Sequence, residues 1–210
     1  MSEYTITPCD GGICAAKGFR AAGIHAGLRK NKDKLDLALI VADDDCAAAG
    51  VFTTNRVFAA PVGVTRAHLK NKRARAVICN SGNANACCPD GYEKANAVCA
   101  ALAEKLGITE DDVIVASTGV IGVPLQIEPI ITGIPTLLDK ISATAEGSDT
   151  AARAIMTTDT KKKEFAYEFT VGGKTAKIGG ICKGSGMIHP NMATMLCFIT
   201  TDIAIAPELL

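Results

Sequence analysis

The chain of 210 residues has no tryptophan, and aromatic residues make up only 4% of it. Its core must therefore be built from aliphatic side chains and alanine. It also lacks an excess of either charge, because 22 basic and 22 acidic residues balance. Nucleic acids and anionic membrane surfaces attract proteins with a basic excess, so neither is expected as the main partner.

Long apolar runs are missing as well, and none reaches the roughly 18 residues that a membrane-spanning helix needs. The first residues, MSEYTITPCDGG, have neither the order of a secretion signal nor the arginine-rich pattern of a transit peptide. We therefore expect a cytoplasmic protein that has neither a membrane nor a nucleic acid as its partner.

Patterns typical of metal sites are absent. The three histidines lie far apart, and none of the nine cysteines has C-x-x-C spacing. We expect free thiols in a reducing compartment and no metal ion. The acidic triplet at 43–45 is interpreted as a solvated turn, because no second set of ligands lies near it in sequence.

Apolar β-branched runs alternate with helical patterns, which predicts one domain of the α/β (α+β) class. The first thirty residues are rich in glycine and are expected to form loops and turns. Strands are predicted at 35–43, 47–54, 75–80, 112–117, 164–171, 174–182 and 194–202. Helices are predicted at 128–145, with a start or kink at Pro135, and from Asp90 to Gly107, with a capping box of Asp90 and Glu93.

The most informative segment is CKGSGMIHPNMATMLCFITTD at 182–202, in which a glycine-rich loop precedes a threonine at the start of a predicted strand. It matches neither a phosphate-binding loop nor a G-x-S-x-G elbow. A threonine freed by cleavage of the bond before it can use its own α-amine, with a pKa of about 7.7–8.0, as a general base. By spacing alone, however, a threonine at a strand start is far more often structural.

The stretch KGSGMIHPNMATMLCFITTD resembles the self-cleavage motif of the ornithine acetyltransferases (glutamate N-acetyltransferases) of arginine biosynthesis. Six further segments resemble family segments in family order: KGFRAAGIHAGLR, DLALIVAD, AAGVFTTNRVFAAPV, AVICNSGNANAC, VIVASTGVIGVPL and AIMTTDT. The resemblance implies a layered sandwich fold of the ornithine acetyltransferase/DmpA-like type. It also implies self-cleavage between Ala193 and Thr194.

The same resemblance implies roles for individual residues. Thr194 would be the nucleophile that takes the acetyl group from N2-acetylornithine and gives it to glutamate. Thr118 and Gly119 match the pair that stabilises the oxyanion, as a hydroxyl and a backbone N–H can do. Thr157, Lys183 and Thr194 match substrate-binding positions; Thr158, next to Thr157, leaves that choice open.

The family assembles from the α and β chains of one precursor, which implies a heterotetramer. Residues 1–193 correspond to the α chain and 194–210 to the start of a β chain, so we expect a truncated chain that is inactive by itself. The final residues, DIAIAPELL, resemble a strand followed by the start of a helix. His189 departs from the small residue usual in the family at that position.

No resident cofactor is implied, and the use of acetyl-CoA as a co-substrate stays open. Two alternatives to the transferase also stay open. One is a self-processing aminopeptidase of related fold, and the other is an inactive truncated remnant. Thr194 and the NSGNANA and KGSGMI segments favour the transferase over the aminopeptidase.

Overall fold

The computed structural model describes residues 4–188 and 194–210. The strands are β1 (Thr5–Pro8), β2 (Phe19–Ile24), β3 (Leu37–Ala47), β4 (Arg73–Asn83), β5 (Val113–Val120), β6 (Lys163–Val171), β7 (Lys174–Lys183) and β8 (Leu196–Thr201). The helices are α1 (Ala60–His68), α2 (Gly91–Leu106), α3 (Glu128–Lys140) and α4 (Ala145–Ala154). Single 3-10 turns are formed by Gly12–Cys14, Leu69–Asn71 and Glu110–Asp112.

One sheet, here called the mixed sheet, has the order β2-β3-β4-β5. Its only parallel neighbours among these four strands are β4 and β5, which α2 connects in the crossover that parallel strands require. The first six residues of β3 are all buried, as expected for a strand covered on both faces. The β4–β5 register pairs Ser81 with Thr118 and Gly82 with Gly119.

The second sheet, here called the antiparallel sheet, has the order β1-β6-β7-β8. The glycine pair Gly172-Gly173 closes the predicted hairpin between β6 and β7, with both residues at positive φ. Strand β8 forms one edge and pairs with β7, so that Lys183 lies opposite Leu196. The end of β7 thereby lies next to the beginning of β8.

Two apolar clusters join the layers. One lies between the mixed sheet and the helices α1, α2 and α3, and it includes Leu37, Leu39, Ile78, Leu102 and Leu137. The other lies between the two sheets and against α4, and it includes Ile13, Ile40, Cys79, Ile155 and Ile181. The predicted α/β (α+β) layered class is confirmed.

The acidic triplet at 43–45 is not the solvated turn that the sequence suggested. It is part of strand β3 and lies within the register irregularity between Val41 and Cys46. Asp43 pairs with Arg20 at 2.7 Å, and Asp45 lies within salt-bridge distance of Arg73 and Arg75. All three arginines lie more than twenty residues from the triplet, so the sequence around the triplet does not reveal these ion pairs.

Three further expectations were wrong, two near the ends of the chain and one at 47–54. The first thirty residues contain β1 and β2, and residues 48–59 form no strand, because β2 and β4 already occupy both edges of β3. Residues 202–210 form turns and coil instead of a strand and a helix start.

The predicted helix over 128–145 ends at Lys140 as α3, and helices α1 and α4 were not predicted from the sequence. Pro135 lies inside α3, where burial of Ile130, Ile134 and Leu137 outweighs the roughly 3 kcal/mol cost of an interior proline. Asp90 is the N-cap residue of α2, as predicted, but its side chain makes no capping bond. Its carboxylate instead contacts Lys94 Nζ at 2.7 Å.

Candidate functional site

Lys183 is the central residue of the site. It ends β7, is only 1% exposed, and is the largest of the fully buried side chains. Its Nζ donates hydrogen bonds to Thr118 Oγ1 at 3.1 Å and to the carbonyl oxygen of Thr194 at 3.3 Å. One buried amine therefore connects the end of β5 in the mixed sheet with the segment that precedes β8.

Thr118 lies in the parallel part of the mixed sheet and is 4% exposed. Its hydroxyl oxygen accepts a hydrogen bond from Lys183, so its own proton is free to be donated to another group. A hydroxyl held in this way is suited to stabilise a developing negative charge.

Gly119 follows directly and has φ +140, a conformation that L side chains rarely adopt. A Cβ atom at this position would lie 2.3 Å from the carbonyl carbon of Gly82. Only glycine therefore permits the close approach of the two strand ends, as the small residues of the Asn80–Cys88 segment suggested.

Polar side chains hold that segment in place. Asn80 Nδ2 donates to the carbonyl oxygen of Asn83 at 3.0 Å, and Ser117 Oγ donates to Asn80 Oδ1 at 2.6 Å. Ser81, which is fully buried, donates to the carbonyl oxygen of Ala154 at 2.5 Å. The strand ends that carry Thr118 and Gly119 are thereby fixed to each other and to α4.

Thr194 does not begin strand β8, as the sequence predicted, but precedes it by two residues. It is exposed and has φ +65, which is unusual for a β-branched residue. A backbone conformation of this kind costs about 1–3 kcal/mol and persists where the surroundings impose it. Ala193 and His189, which the sequence also singled out, lie outside the described residues.

Asp159 was not identified from the sequence. Its carboxylate accepts hydrogen bonds from the Gly184 N–H at 2.8 Å, from Lys163 Nζ at 2.5 Å and from the Thr157 N–H at 3.2 Å. Burial opposes its ionisation, but these bonds outweigh burial and lower the pKa of Asp159 from 3.8 to about 2. The only local signal was an acidic residue within the segment AIMTTDT.

The structure places both candidate threonines, Thr157 and Thr158, just after α4. The hydroxyl of Thr158 lies 2.8 Å from Ser185 Oγ in the glycine-rich loop. The backbone of Thr157 is tied to Asp159, and the hydroxyl of Thr157 has no hydrogen-bond partner among the described residues. Thr157 is therefore the better candidate to bind a ligand through its side chain.

The charge of Lys183 is affected by its surroundings. Burial lowers the pKa of Lys183 below its usual 10.5, whereas the negative charge of Asp159 acts in the opposite direction. The neighbouring thiol of Cys79 is completely buried, and burial raises its pKa to about 12, so it stays protonated at neutral pH. The site thus holds a cationic amine without a competing thiolate.

The site opens onto a groove of about 2140 Å³. Thr118, Gly119 and Thr194 all line this groove. Within residues 4–188 and 194–210, no three His, Cys, Asp or Glu side chains cluster in a way that could hold a metal ion. In the same ranges, no helix is both long enough and apolar enough to cross a bilayer.

A model of the ArgJ family matches residues 20–210. The chain belongs to the ArgJ family. It is 53% identical to the arginine biosynthesis bifunctional protein ArgJ of Gloeobacter violaceus over 202 residues, which are 95% of this chain and 49% of that protein. The chain thus spans about half the length of the curated ArgJ relatives that it matches.

Solved ArgJ structures share the fold. The crystal structure of the bifunctional protein from Bacillus halodurans has a TM-score of 0.85 and 43% identity, covering 90% of this chain and 99% of that one. The Mycobacterium tuberculosis ornithine acetyltransferase, crystallised with ornithine, has a TM-score of 0.79 and 38% identity, covering 91% of this chain and 100% of that one.

Proposed function

We propose that the complete gene product containing this sequence transfers an acetyl group from N2-acetylornithine to glutamate, as an acyltransferase of arginine biosynthesis. The observation that carries the proposal is the pair of hydrogen bonds from Lys183 to Thr118 and Thr194. They bring a candidate nucleophile and a candidate oxyanion donor to one buried cation. Family membership and the names of the relatives support the same reaction.

Self-cleavage comes first. Thr194 Oγ attacks the carbonyl carbon of Ala193, the bond from that carbon to the Thr194 nitrogen breaks, and an ester forms. Water then hydrolyses the ester, leaving a carboxylate on Ala193 and a free α-amine on Thr194. The positive φ of Thr194 supports this step, because that torsion includes the bond that breaks and its strain is released.

Acetyl transfer follows from the same groups. The Thr194 hydroxyl attacks the acetyl carbonyl of N2-acetylornithine, while the α-amine accepts the hydroxyl proton and passes it to the departing nitrogen of ornithine. The Thr118 hydroxyl and the Gly119 N–H stabilise the alkoxide of the tetrahedral intermediate. The amine of glutamate then attacks acetyl-Thr194 and regenerates the hydroxyl.

In this proposal residues 1–193 form an α chain, residues from 194 onward belong to a β chain, and the two associate as a heterotetramer. The coverage of the relatives supports a division of the ArgJ polypeptide. Residues of this chain cover 49% of the Gloeobacter violaceus protein but 99% and 100% of the two crystallised chains. The crystallised chains are therefore about as short as the matched region.

Because the acetyl group is carried by Thr194, the reaction needs no resident cofactor. Acetyl-CoA is the second donor to test, since the Gloeobacter violaceus relative is named as bifunctional. In this proposal Lys183 and Thr157 bind the substrate. Nine cysteines that are free within the described parts of the chain favour a reducing compartment such as the cytoplasm.

The test is made on the complete gene product. Intact-mass spectrometry should show two chains and, with N2-acetylornithine, one added acetyl group on the chain that begins at Thr194. Thr194→Ala should give a single uncut chain and no acetyl transfer, because no other hydroxyl replaces its oxygen. Two chains in Thr194→Ala would contradict the assignment.

A matched control lies at the other end of strand β8. Thr201 is the last residue of β8, and its hydroxyl donates to the carbonyl oxygen of Lys177 at 2.8 Å, away from Lys183. Thr201→Ala should therefore leave both cleavage and acetyl transfer within about threefold of the starting protein, since one exposed or half-exposed hydrogen bond contributes only about 1 kcal/mol.

A further inference from the structure

Arg29 lies in the loop after β2, and a buried carboxylate fixes that loop. Asp36 is completely buried, and it accepts hydrogen bonds from the Ala26 N–H at 2.6 Å and from the Arg29 N–H at 2.9 Å. His25 Nδ1 lies 3.3 Å from the same carboxylate. The backbone position of Arg29 is therefore determined by the core and not by the solvent-exposed part of the loop.

The side chain of Arg29 extends over the ends of the strands that carry the site. Gly82 is the register partner of Gly119, and a Cβ atom added to Gly82 would lie 3.1 Å from Cγ of Arg29. Its Nη2 donates a hydrogen bond to the carbonyl oxygen of Met156, the residue before Thr157. The side chain of Arg29 thus passes from Gly82, the register partner of Gly119, to the residue before Thr157.

The negative charge of Asp36 favours the charged form of the Arg29 guanidinium, but the guanidinium forms no direct salt bridge among the described residues. Its Nε is buried and has no hydrogen-bond partner among the described residues. Within those residues, no carboxylate lies within 4.0 Å of the Arg29 guanidinium or of Lys183 Nζ. The nearby Asp159 is already hydrogen-bonded to Lys163 at 2.5 Å.

Arg29 and Lys183 lie near enough for the charge of Arg29 to help lower the pKa of Lys183. The negative charge of Asp36 acts on Arg29 and that of Asp159 acts on Lys183, but neither carboxylate pairs directly with the cation among the described residues. Burying unpaired charges of one sign is costly, so such an arrangement is expected where a ligand of opposite charge binds. A guanidinium is the group whose geometry best fits a carboxylate.

We propose that Arg29 is a second carboxylate-binding residue, which together with Lys183 holds the α-carboxylate of the amino-acid substrate. This assignment rests on the proposed function, in which both the donor and the acceptor are α-amino acids. A site of this kind would bind amino acids more tightly than the corresponding amines, which lack the carboxylate.

The test compares two donors that differ only in the carboxylate. In the complete gene product, kcat/KM is measured for N2-acetylornithine and for its decarboxylated analogue, N-acetyl-1,4-diaminobutane. Arg29→Gln removes the charge but retains an N–H group for the Met156 carbonyl. We expect it to lower kcat/KM for N2-acetylornithine by about 10- to 100-fold, mainly through KM, and to change the value for the analogue by less than about threefold.

Two further variants sharpen the result. Arg29→Lys keeps the charge and should recover most of the preference for the carboxylate-bearing donor. Arg153→Gln is the matched control, because Arg153 has the same side chain but is 62% exposed and pairs with Asp149 at 2.7 Å. It should behave as the starting protein with both donors. An equal loss with both donors in Arg29→Gln would make Arg29 a purely structural residue and overturn the proposal.

Direct binding separates this proposal from the proposed function. Calorimetry with ornithine and with 1,4-diaminobutane does not require turnover. If the starting protein transfers no acetyl group but binds ornithine in preference to the diamine, and Arg29→Gln abolishes that preference, the reaction is wrong and the carboxylate site stands. If the starting protein shows no preference for ornithine, or Arg29→Gln retains it, the carboxylate site is wrong.

Discussion

The two sheets supply different parts of the site and are covered to different degrees. The mixed sheet packs against apolar clusters on both faces, and Leu37 and Leu39 are completely buried. The antiparallel sheet carries apolar side chains that are exposed in this chain, such as Ile6 at 61% and Ile199 at 58%. Thr118 and Gly119 belong to the first sheet, whereas Lys183 ends strand β7 of the second sheet and Thr194 lies just before its strand β8.

This difference in burial matches different requirements of the proposed reaction. The proposed oxyanion donors must be held to within about half an ångström, and the parallel pair β4–β5, which packs between two apolar clusters, is suited to hold them. In the proposed self-cleavage Thr194 needs access to water, and Thr194 is exposed just before β8. Each of the following predictions tests whether the two sheets differ in this way.

The largest effect is expected at the contact between strand ends in the mixed sheet. Gly119→Ala would place a Cβ atom 2.3 Å from Gly82, so the strand end must move and acetyl transfer should fall by more than about 10³-fold. Gly173→Ala in the β6–β7 hairpin is the control, since φ is also positive but nothing lies within 4 Å of the added carbon. It should cost about 1–2 kcal/mol of stability and little activity. Equal losses of activity would contradict the proposed rigidity of the mixed sheet.

The next effect concerns the hydroxyl of Thr118. Thr118→Ala should lower kcat by about 10²–10³ while KM changes much less, because the lost donor acts on the transition state. Thr118→Ser keeps the hydroxyl that accepts from Lys183 and should retain most of the rate. A raised KM with unchanged kcat would instead make Thr118 a substrate contact.

Stability should also differ between the sheets. Leu39→Ala, in the doubly covered strand β3, should lower the free energy of unfolding by about 2–5 kcal/mol. Ile199→Ala, on β8, should lower it by less than about 1 kcal/mol in the 210-residue chain, because much of that side chain is already in water. Urea unfolding of both variants measures the difference, and similar losses would mean that the antiparallel sheet is packed as tightly as the mixed one.

The smallest effect concerns Asp159, which ties β7 to the turn after α4. Its folded-state pKa of about 2 is below the usual 3.8, so the ionised carboxylate stabilises the fold above about pH 4 and that contribution is lost as the pH falls toward 2. Asp159→Asn should therefore cost about 1–2 kcal/mol at pH 7, a difference that shrinks on acidification. Lys163→Gln removes one of its donors and should move the acid transition of the parent chain to higher pH. An unchanged difference between pH 7 and pH 2 would argue against this role of the carboxylate.

Parts of the fold could be predicted because their signals are local. The alternation in Lys163–Val171, the glycine pair at 172–173 and the β-branched run before Asn80 each specify a strand or turn without help from the rest of the chain. The strand through Asp43–Asp45 could not be predicted, because the charges that make it tolerable come from Arg20, Arg73 and Arg75.

The candidate site was reached from the sequence only through motif resemblance. That resemblance singled out Thr118, Gly119, Lys183 and Thr194, which the structure brings to one groove or one set of hydrogen bonds. Asp159 and Arg29 escaped notice, because an acidic residue or an arginine in a loop is usually solvated. Only burial distinguishes them, and burial depends on elements that are distant in sequence.

The sequence by itself determined the class of the fold, the order of most of its elements and the glycine-rich segment before Thr194. These follow from hydrophobic periodicity, turn chemistry and short motifs, all of which act over a few neighbouring residues. Only the tertiary structure decided that Lys183 is a buried bridge between Thr118 and Thr194, and that Thr194 precedes β8 in a left-handed conformation. The reason is physical: hydrogen bonds and desolvation depend on which strands lie side by side, and β5 and β7 are more than fifty residues apart.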